Sequence, residues 1–245
     1  MNVKTSIKTI VFLLTAIAYA SSAWAGSTTD GADLKSESEE LSITTATQFF
    51  KPVAPTAPRS PSTTTGTRTG GCFSRDESPA LMAPTNFIGE TATESPTLTW
   101  FLPDETPVPA ELNLYALQPS GSLSLHHSET LSYEAGISQY ALPAEAALEA
   151  NQVYLWQMIL HCNPNRPSQS LVYEAEVVFV PRSVDTQLAS SAAEQARIWA
   201  ETGYWYDAIA ALGTSEAPEI ETVRSALLND LNLLEAAMEK ESPDE

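Results

Sequence analysis

The stretch "LEANQVYLWQMILHC" (148–162) decides the fold. From Val153 to Leu160 nearly every residue is apolar, as expected of a strand buried on both faces at the centre of a sheet. Its neighbours alternate instead. In "SPTLTWFLP" (95–103), Leu98, Trp100 and Leu102 share one face. "ELNLYALQ" (111–118) places Leu112 and Leu114 on one face, with Tyr115 and Leu117 on the other. "PSG" at 119–121 is a turn signal, and "SLSLHHSETL" (122–131) continues the pattern with Leu123 and Leu125. "GISQYALP" (136–143) is a shorter strand candidate. "LVYEAEVVFVP" (171–181) aligns Leu171, Tyr173, Ala175, Val177 and Phe179. Strands of this length between Gly, Pro and Asn turns predict an antiparallel sandwich from about residue 72 to residue 183.

The opening of the stretch sharpens that expectation. Leu148 stands six residues before Tyr154, and Trp156 and Met158 continue on the side of Tyr154. This resembles the tyrosine corner of immunoglobulin-like and fibronectin-type sandwiches, where the phenol bonds back to upstream backbone and pins the start of a late strand. Cys162 lies eight residues after that Tyr, not two. The pair Cys72 and Cys162 therefore departs from the usual inter-sheet bridge of such folds. In an oxidising compartment the two tend to join. The bridge would close a loop of about 90 residues, worth about 4–5 kcal/mol at most by chain entropy. Two free thiols or a catalytic Cys are the alternatives.

After residue 184 the period becomes helical, over a segment of 184–240 that is short for a core of its own. Leu188, Ala192, Ala196 and Trp199 are spaced by four, four and three, with Asp185 or Thr186 available as a cap. Gly203 stops this helix, Tyr204 to Leu212 forms a second, and Gly213 stops that one. Pro218 fits the first turn of a third helix, with Glu219 and Glu221 near its positive end. The apolar stripe of that helix is Ile220, Val223, Leu227, Leu231, Leu234 and Met238. "RIWAETGYWYDAIAAL" (197–212) resembles the inter-helix corner of a tetratricopeptide repeat at Gly203, Trp205, Ala208 and Ile209. There is no second copy, and stacked repeats need about three. The spacing predicts Trp199, Ile209 and Leu212 inward, with Tyr204 and Tyr206 nearer the surface. Tyr204, Trp205 and Tyr206 are thus a candidate interaction surface, while Leu148, Tyr154, Gly203 and Ala208 are structural corners.

The two ends and the charge bound the function. Residues 1–25 read as a secretory signal peptide: Lys4 and Lys8, the apolar run Thr9 to Ala20, then Ala23-Trp24-Ala25 before Gly26. An uncleaved anchor is the alternative. No other segment approaches the roughly 20 apolar residues of a membrane helix. The expected location is the periplasm or the exterior, with no membrane span after cleavage. Residues 26–71 are rich in Ser, Thr, Pro and Gly and read as a disordered linker, with Phe49 and Phe50 as a small sticky exception. Arg59, Arg68 and Arg75 make the end of this segment basic, which suits a solvated linker or an arm lying on an acidic surface. Residues 241–245 form an acidic tail. The net charge of -19 opposes binding to nucleic acid and docking on anionic lipid.

Motifs for catalysis are missing. There is no phosphate-binding loop, nucleophile elbow, H-E-x-x-H or C-x-x-C. His126 and His127 point to opposite strand faces and need a bulge to share a metal, and His161 and Cys162 are likewise opposed. Glu174 and Glu176 share a face at roughly 7 Å, a spacing that also suits a glycosidase pair. No cofactor is expected.

Several segments, in this order, resemble the cyanobacterial family known as domain of unknown function 928. They are the signal peptide, "TGTRTGGC" (65–72), "ALMAPTNFIGETATESPTLTWFLP" (80–103), "YLWQMILHCNPNRPS" (154–168) and "YWYDAIAAL" (204–212). The resemblance covers about 66 to 235. It implies export in a cyanobacterium and a shared cysteine pair, and it carries no catalytic residue across. The combined expectation is a mainly β protein with α: an immunoglobulin/fibronectin-like antiparallel β-sandwich followed by a small C-terminal helical subdomain packed on it. The functional expectation is a non-enzymatic binding or scaffolding module for another envelope protein. A carbohydrate-binding module, with Trp100, Trp156 or Trp205 as a sugar platform for a glycan partner, is the alternative. A hydrolase using the strand carboxylates is the second alternative.

Overall fold

The computed structural model describes residues 48–59, 73, 78–103, 107–163, 165–186 and 189–241. Cys72 and Leu188 lie outside the described residues, as do the acids Asp104 and Glu105 and all of 1–47, which hold the expected signal peptide. Ala46–Glu245 forms one compact unit.

Among the described residues, eight strands make two sheets. β1 (Ala80–Leu81), β3 (Thr97–Leu102) and β6 (Gly136–Ala141) form a three-stranded antiparallel sheet in the order β1-β3-β6. The second sheet has five strands. β2 (Gly89–Thr91), β8 (Leu171–Phe179), β7 (Val153–Leu160), β4 (Ala110–Leu117) and β5 (Leu123–Leu131) run in the order β2-β8-β7-β4-β5. The expectation of a wholly antiparallel arrangement fails along β8: β2 pairs with it in parallel, and Ala150 makes a parallel bridge to Phe179.

The apolar stretch around Tyr154 is central, with β8 on one side of β7 and β4 on the other. Tyr154, Trp156, Met158 and Leu160 are fully buried, together with Leu98, Trp100 and Leu102 of β3 and Leu112 and Leu114 of β4. One core therefore takes side chains from both sheets. The Tyr154 hydroxyl accepts the backbone N–H of Glu149 at 3.1 Å, and Leu148 is buried beside this corner. β5 differs from its sequence pattern. It is the outermost strand, so Leu123 (43%) and Leu125 (61%) remain exposed.

Three helices follow: α1 (Ala192–Glu201), α2 (Trp205–Leu212) and α3 (Pro218–Glu241). α1 starts later than Asp185 or Thr186 would place it. Its cap is Ser191, whose side chain accepts from the Glu194 N–H, while the Glu194 carboxylate accepts from Ser190 N and Oγ. This reciprocal arrangement satisfies donors that a helix start leaves unpaired. Ala193, Ala196 and Ala200 face the core, so the helix lies close to its neighbours. On α3, Val223, Leu227 and Leu231 are buried, with Ile220, Leu234 and Met238 packed beside them.

The main correction concerns the Pro-rich segment. Residues 48–59, inside the expected linker of 26–71, lie across the helices and the five-stranded sheet as a strap. Phe50 is buried, stacking on Phe87 and meeting Trp205 edge-on at 4.9 Å. The buried Asp230 carboxylate of α3 accepts the N–H groups of Phe49 (2.6 Å) and Phe50 (3.1 Å). Lys51 N donates to Ala200 O, Thr56 O accepts from Ile88 N, and Arg59 N donates to both oxygens of Glu176 on β8. Composition favoured disorder because the segment has little to bury; five backbone contacts and one phenylalanine hold it instead.

The strap passes directly over Gly203, which has φ +89°. A Cβ there would sit 3.1 Å from Lys51 O and 3.2 Å from Val53 N. Gly203→Val thus meets two penalties, the left-handed backbone and the strap. The left-handed conformation alone costs about 1–2 kcal/mol for a non-glycine residue. We expect a lowered melting temperature together with faster proteolysis within 48–59; unchanged melting and unchanged cleavage would remove this account of the corner.

Candidate functional site

The residues expected to form an interaction surface are in the interior. Tyr204, Trp205 and Tyr206 are 0%, 0% and 2% exposed. The spacing put Tyr204 and Tyr206 nearer the surface, but α2 is apolar around most of its circumference and only the side of Asp207, Ala210 and Ala211 stays partly open. Its neighbours are α1, α3, β2 and β3. A turn of helix points successive side chains in different directions, so each of residues 204–207 meets a different wall.

Each also carries a polar group that needs a partner when buried. Tyr204 OH donates to Val180 O (2.8 Å) and accepts from Arg182 Nε (2.9 Å), whose guanidinium also lies over the ring and pairs with Glu90. Trp205 Nε1 donates to Met82 O at 2.9 Å. Tyr206 OH donates to Glu176 O (3.0 Å) and accepts from Trp156 Nε1 (2.9 Å). Asp207 Oδ2 accepts the Ala92 N–H at 2.9 Å. Burial raises the Tyr206 phenol well above the ordinary tyrosine range, so it stays a neutral donor. Burial also raises the Asp207 carboxyl, against the lowering effect of the bonds from Ala92 and Thr91. Gly89 makes room for this arrangement, because a Cβ there would meet Tyr206 Cε2 at 2.6 Å. Ala208 is fully buried on the same helix, as are Ile209 and Leu212, whereas Trp199 is only half-buried.

The remaining candidates are dispersed. Trp100, Trp156 and Trp205 are all buried, which removes them as a sugar platform. Glu176 is buried and holds the Arg59 amide, and Glu174 accepts from Gln157 Nε2. The two acids thus serve separate structural bonds. A bulge does occur at the histidines: His127 pairs with Leu114 and Leu125 with Tyr115, leaving His126 between them. The rings still diverge, His126 to the Tyr154 ring at 5.0 Å and His127 Nε2 to Tyr140 OH at 2.8 Å. His161 bonds Ser170 Oγ at 3.1 Å and approaches Glu111 at 3.5 Å. Among the described residues no group of three His, Cys, Asp or Glu side chains could hold a metal, and no described cysteine is a free thiol. No described helix is long and apolar enough to cross a membrane.

Two cavities among the described residues are candidate sites. One, of about 430 Å³, lies between the three-stranded sheet and α3, floored by Met82, Phe101, Ile137 and Leu228 and edged by Glu216 and Glu221. The buried Arg224 also lines it, but its guanidinium is occupied by Gly213 O, Ser215 O and Glu221. The other, of about 230 Å³, is polar and borders Asp207. Neither was visible in the sequence, because each is walled by residues from three or more separate segments.

The family model described as Domain of Unknown Function (DUF928) matches residues 63–241. The chain belongs to the DUF928 family. No curated protein matches it significantly. The DUF928 region contains both cavities and all of residues 204–207, whereas the ordered strap at 48–59 precedes it.

The buried hydroxyl of Tyr206 gives a direct test of the fastening. Tyr206→Phe keeps the ring but strips Glu176 O and Trp156 Nε1 of their partner. A loss of roughly 1–3 kcal/mol is expected for buried groups left unpaired. Urea denaturation measures it; a variant as stable as the parent would show that the hydroxyl network carries no net stability.

Proposed function

We propose that the chain is an exported envelope protein acting as a non-enzymatic binding or scaffolding module for another protein. The observation that carries this reading is the apolar cleft between the three-stranded sheet and α3. Its apolar floor and acidic edge, on a chain of net charge -19, suit a partner segment with an apolar anchor and basic flanks. The Glu174/Glu176 pair bonds Gln157 and the Arg59 amide, which supports a structural use of these acids over the hydrolase alternative.

The finer reading of the fold as a fibronectin-like sandwich belongs with this proposal. It is supported by the strand orders β1-β3-β6 and β2-β8-β7-β4-β5 and by the Tyr154 bond to Glu149. Such sandwiches serve adhesion in many proteins, an association of fold rather than a property of this site. Export rests on the sequence of residues 1–25, and a Cys72–Cys162 bridge rests on the oxidising compartment that export implies.

Two measurements test the reading. Carbodiimide couples carboxylates directly to lysine amines, so crosslinking in an envelope extract should join Glu216 or Glu221 to a basic segment of one partner. Ile137→Lys should abolish that product; a product unaffected by the substitution, or no product at all, overturns the assignment. Intact mass of protein isolated from the envelope should rise by two hydrogens on reduction. An unchanged mass would remove the bridge.

A further inference from the structure

The smaller cavity is built from a different chemistry. Thr91, Thr93, Ser95 and Thr97, every second residue from β2 into β3, place hydroxyl-bearing side chains along one wall. Gln195 and Trp199 of α1 and Asp207 of α2 form the opposite side. The hydroxyl wall is held in shape locally, since Thr93 N donates to Thr91 Oγ1 and Ser95 N to Thr93 Oγ1, each at 3.3 Å. Asp207 is fixed by the Ala92 amide at 2.9 Å. The Trp199 ring is braced edge-on by Tyr204, with centroids 5.7 Å apart, and remains half-buried.

What the wall lacks is as specific as what it has. Among the described residues no Lys or Arg lines it, so a phosphate, sulfate or carboxylate would find Asp207 and no compensating cation. Threonine and serine hydroxyls donate and accept, a glutamine amide does both, and a carboxylate accepts. The indole adds an apolar plane. Hydroxyl groups joined by C–H surface match that set. At about 230 Å³ the cavity falls below the roughly 300–1,000 Å³ of drug-sized sites, which suits one ring rather than a chain.

We propose that this notch, walled by Thr93, Ser95, Thr97, Gln195, Trp199 and Asp207, binds a single neutral sugar residue. Trp199 packs on the C–H face of the ring, and Asp207 and Gln195 bond its hydroxyls. The ring is either a free monosaccharide or the end unit of a glycan. The proposal is independent of the protein-binding cleft, which shares no lining residue with it. It also replaces the three buried tryptophans with a half-buried one.

The test is a titration of the full chain with glucose, galactose, N-acetylglucosamine, a neutral trisaccharide and glucose 6-phosphate, read by calorimetry and by tryptophan fluorescence. At least one neutral sugar should bind saturably. The trisaccharide should match its monosaccharide if only one ring is held, and exceed it if a glycan end is the natural ligand. Trp199→Ala and Asp207→Asn should each weaken binding about tenfold or more, the factor for one lost contact. Because Trp199 also braces Tyr204, Gln195→Ala and Ser95→Ala provide variants with less structural burden, and should weaken binding without moving the melting temperature. No saturable response to any neutral sugar overturns the proposal. So does glucose 6-phosphate binding more tightly than glucose, or binding unchanged in the Gln195 and Ser95 variants. Crosslinking through Glu216 and Glu221 should persist in all four variants, which separates failure here from failure of the cleft assignment.

Discussion

The first turn of α2 fastens the helices to the sheets, and the rest of the structure depends on it. Four successive residues, Tyr204 to Asp207, each reach backbone at a different place: Val180, Met82, Glu176 and Ala92. Three of the four contacts use an aromatic ring with a polar tip. The ring fills space between layers, and the tip donates to a backbone carbonyl instead of being buried unpaired. Since the four targets lie on three segments of the two-sheet body, after β1, after β2 and along β8, α2 cannot shift along its axis without breaking several bonds at once. Helices and sheets consequently share one core rather than forming a sandwich with a detachable appendage.

The strap adds a second, longer-range constraint. It touches α3 through Asp230, the α1–α2 corner through Ala200, β2 through Ile88 and β8 through Glu176. Two of its anchors are buried carboxylates accepting backbone N–H groups, a charge-assisted bond that also neutralises part of the cost of burying the acid. Glu176 joins both constraints, because its side chain holds the strap while its carbonyl holds Tyr206. Many of the chain's acids are solvated surface charge, but Asp207, Glu176 and Asp230 act as internal fasteners.

Much of this was legible from residue order. The alternation of Leu98, Trp100 and Leu102, the continuous apolar run of β7 and the stripe of α3 describe local geometry, and period alone locates them. The glycines at 203 and 213 likewise mark the helix ends, with φ of +89° and +60°. Three things escaped. The strap has the composition of a linker, and its order comes from partners more than a hundred residues away. Tyr204 and Tyr206 looked superficial from the helical spacing, whereas the elements around α2 bury both. Leu123 and Leu125 alternate like core residues, yet β5 has no neighbour beyond it. In each case the deciding information is what packs against a segment, which its own sequence does not contain. Both candidate cavities have the same origin, and the half-buried Trp199 stood out from the other tryptophans only once α1 and α2 were in place.

The bond from Phe49 to Asp230 spans 181 positions in the sequence. A chain still being made on the ribosome holds Phe49 long before Asp230 exists. During that interval Phe50 lacks part of its binding pocket, and the strap lacks its last anchor. Final closure of the core is thereby deferred until synthesis is almost complete, so the order of birth of the residues runs opposite to the order in which the structure can lock.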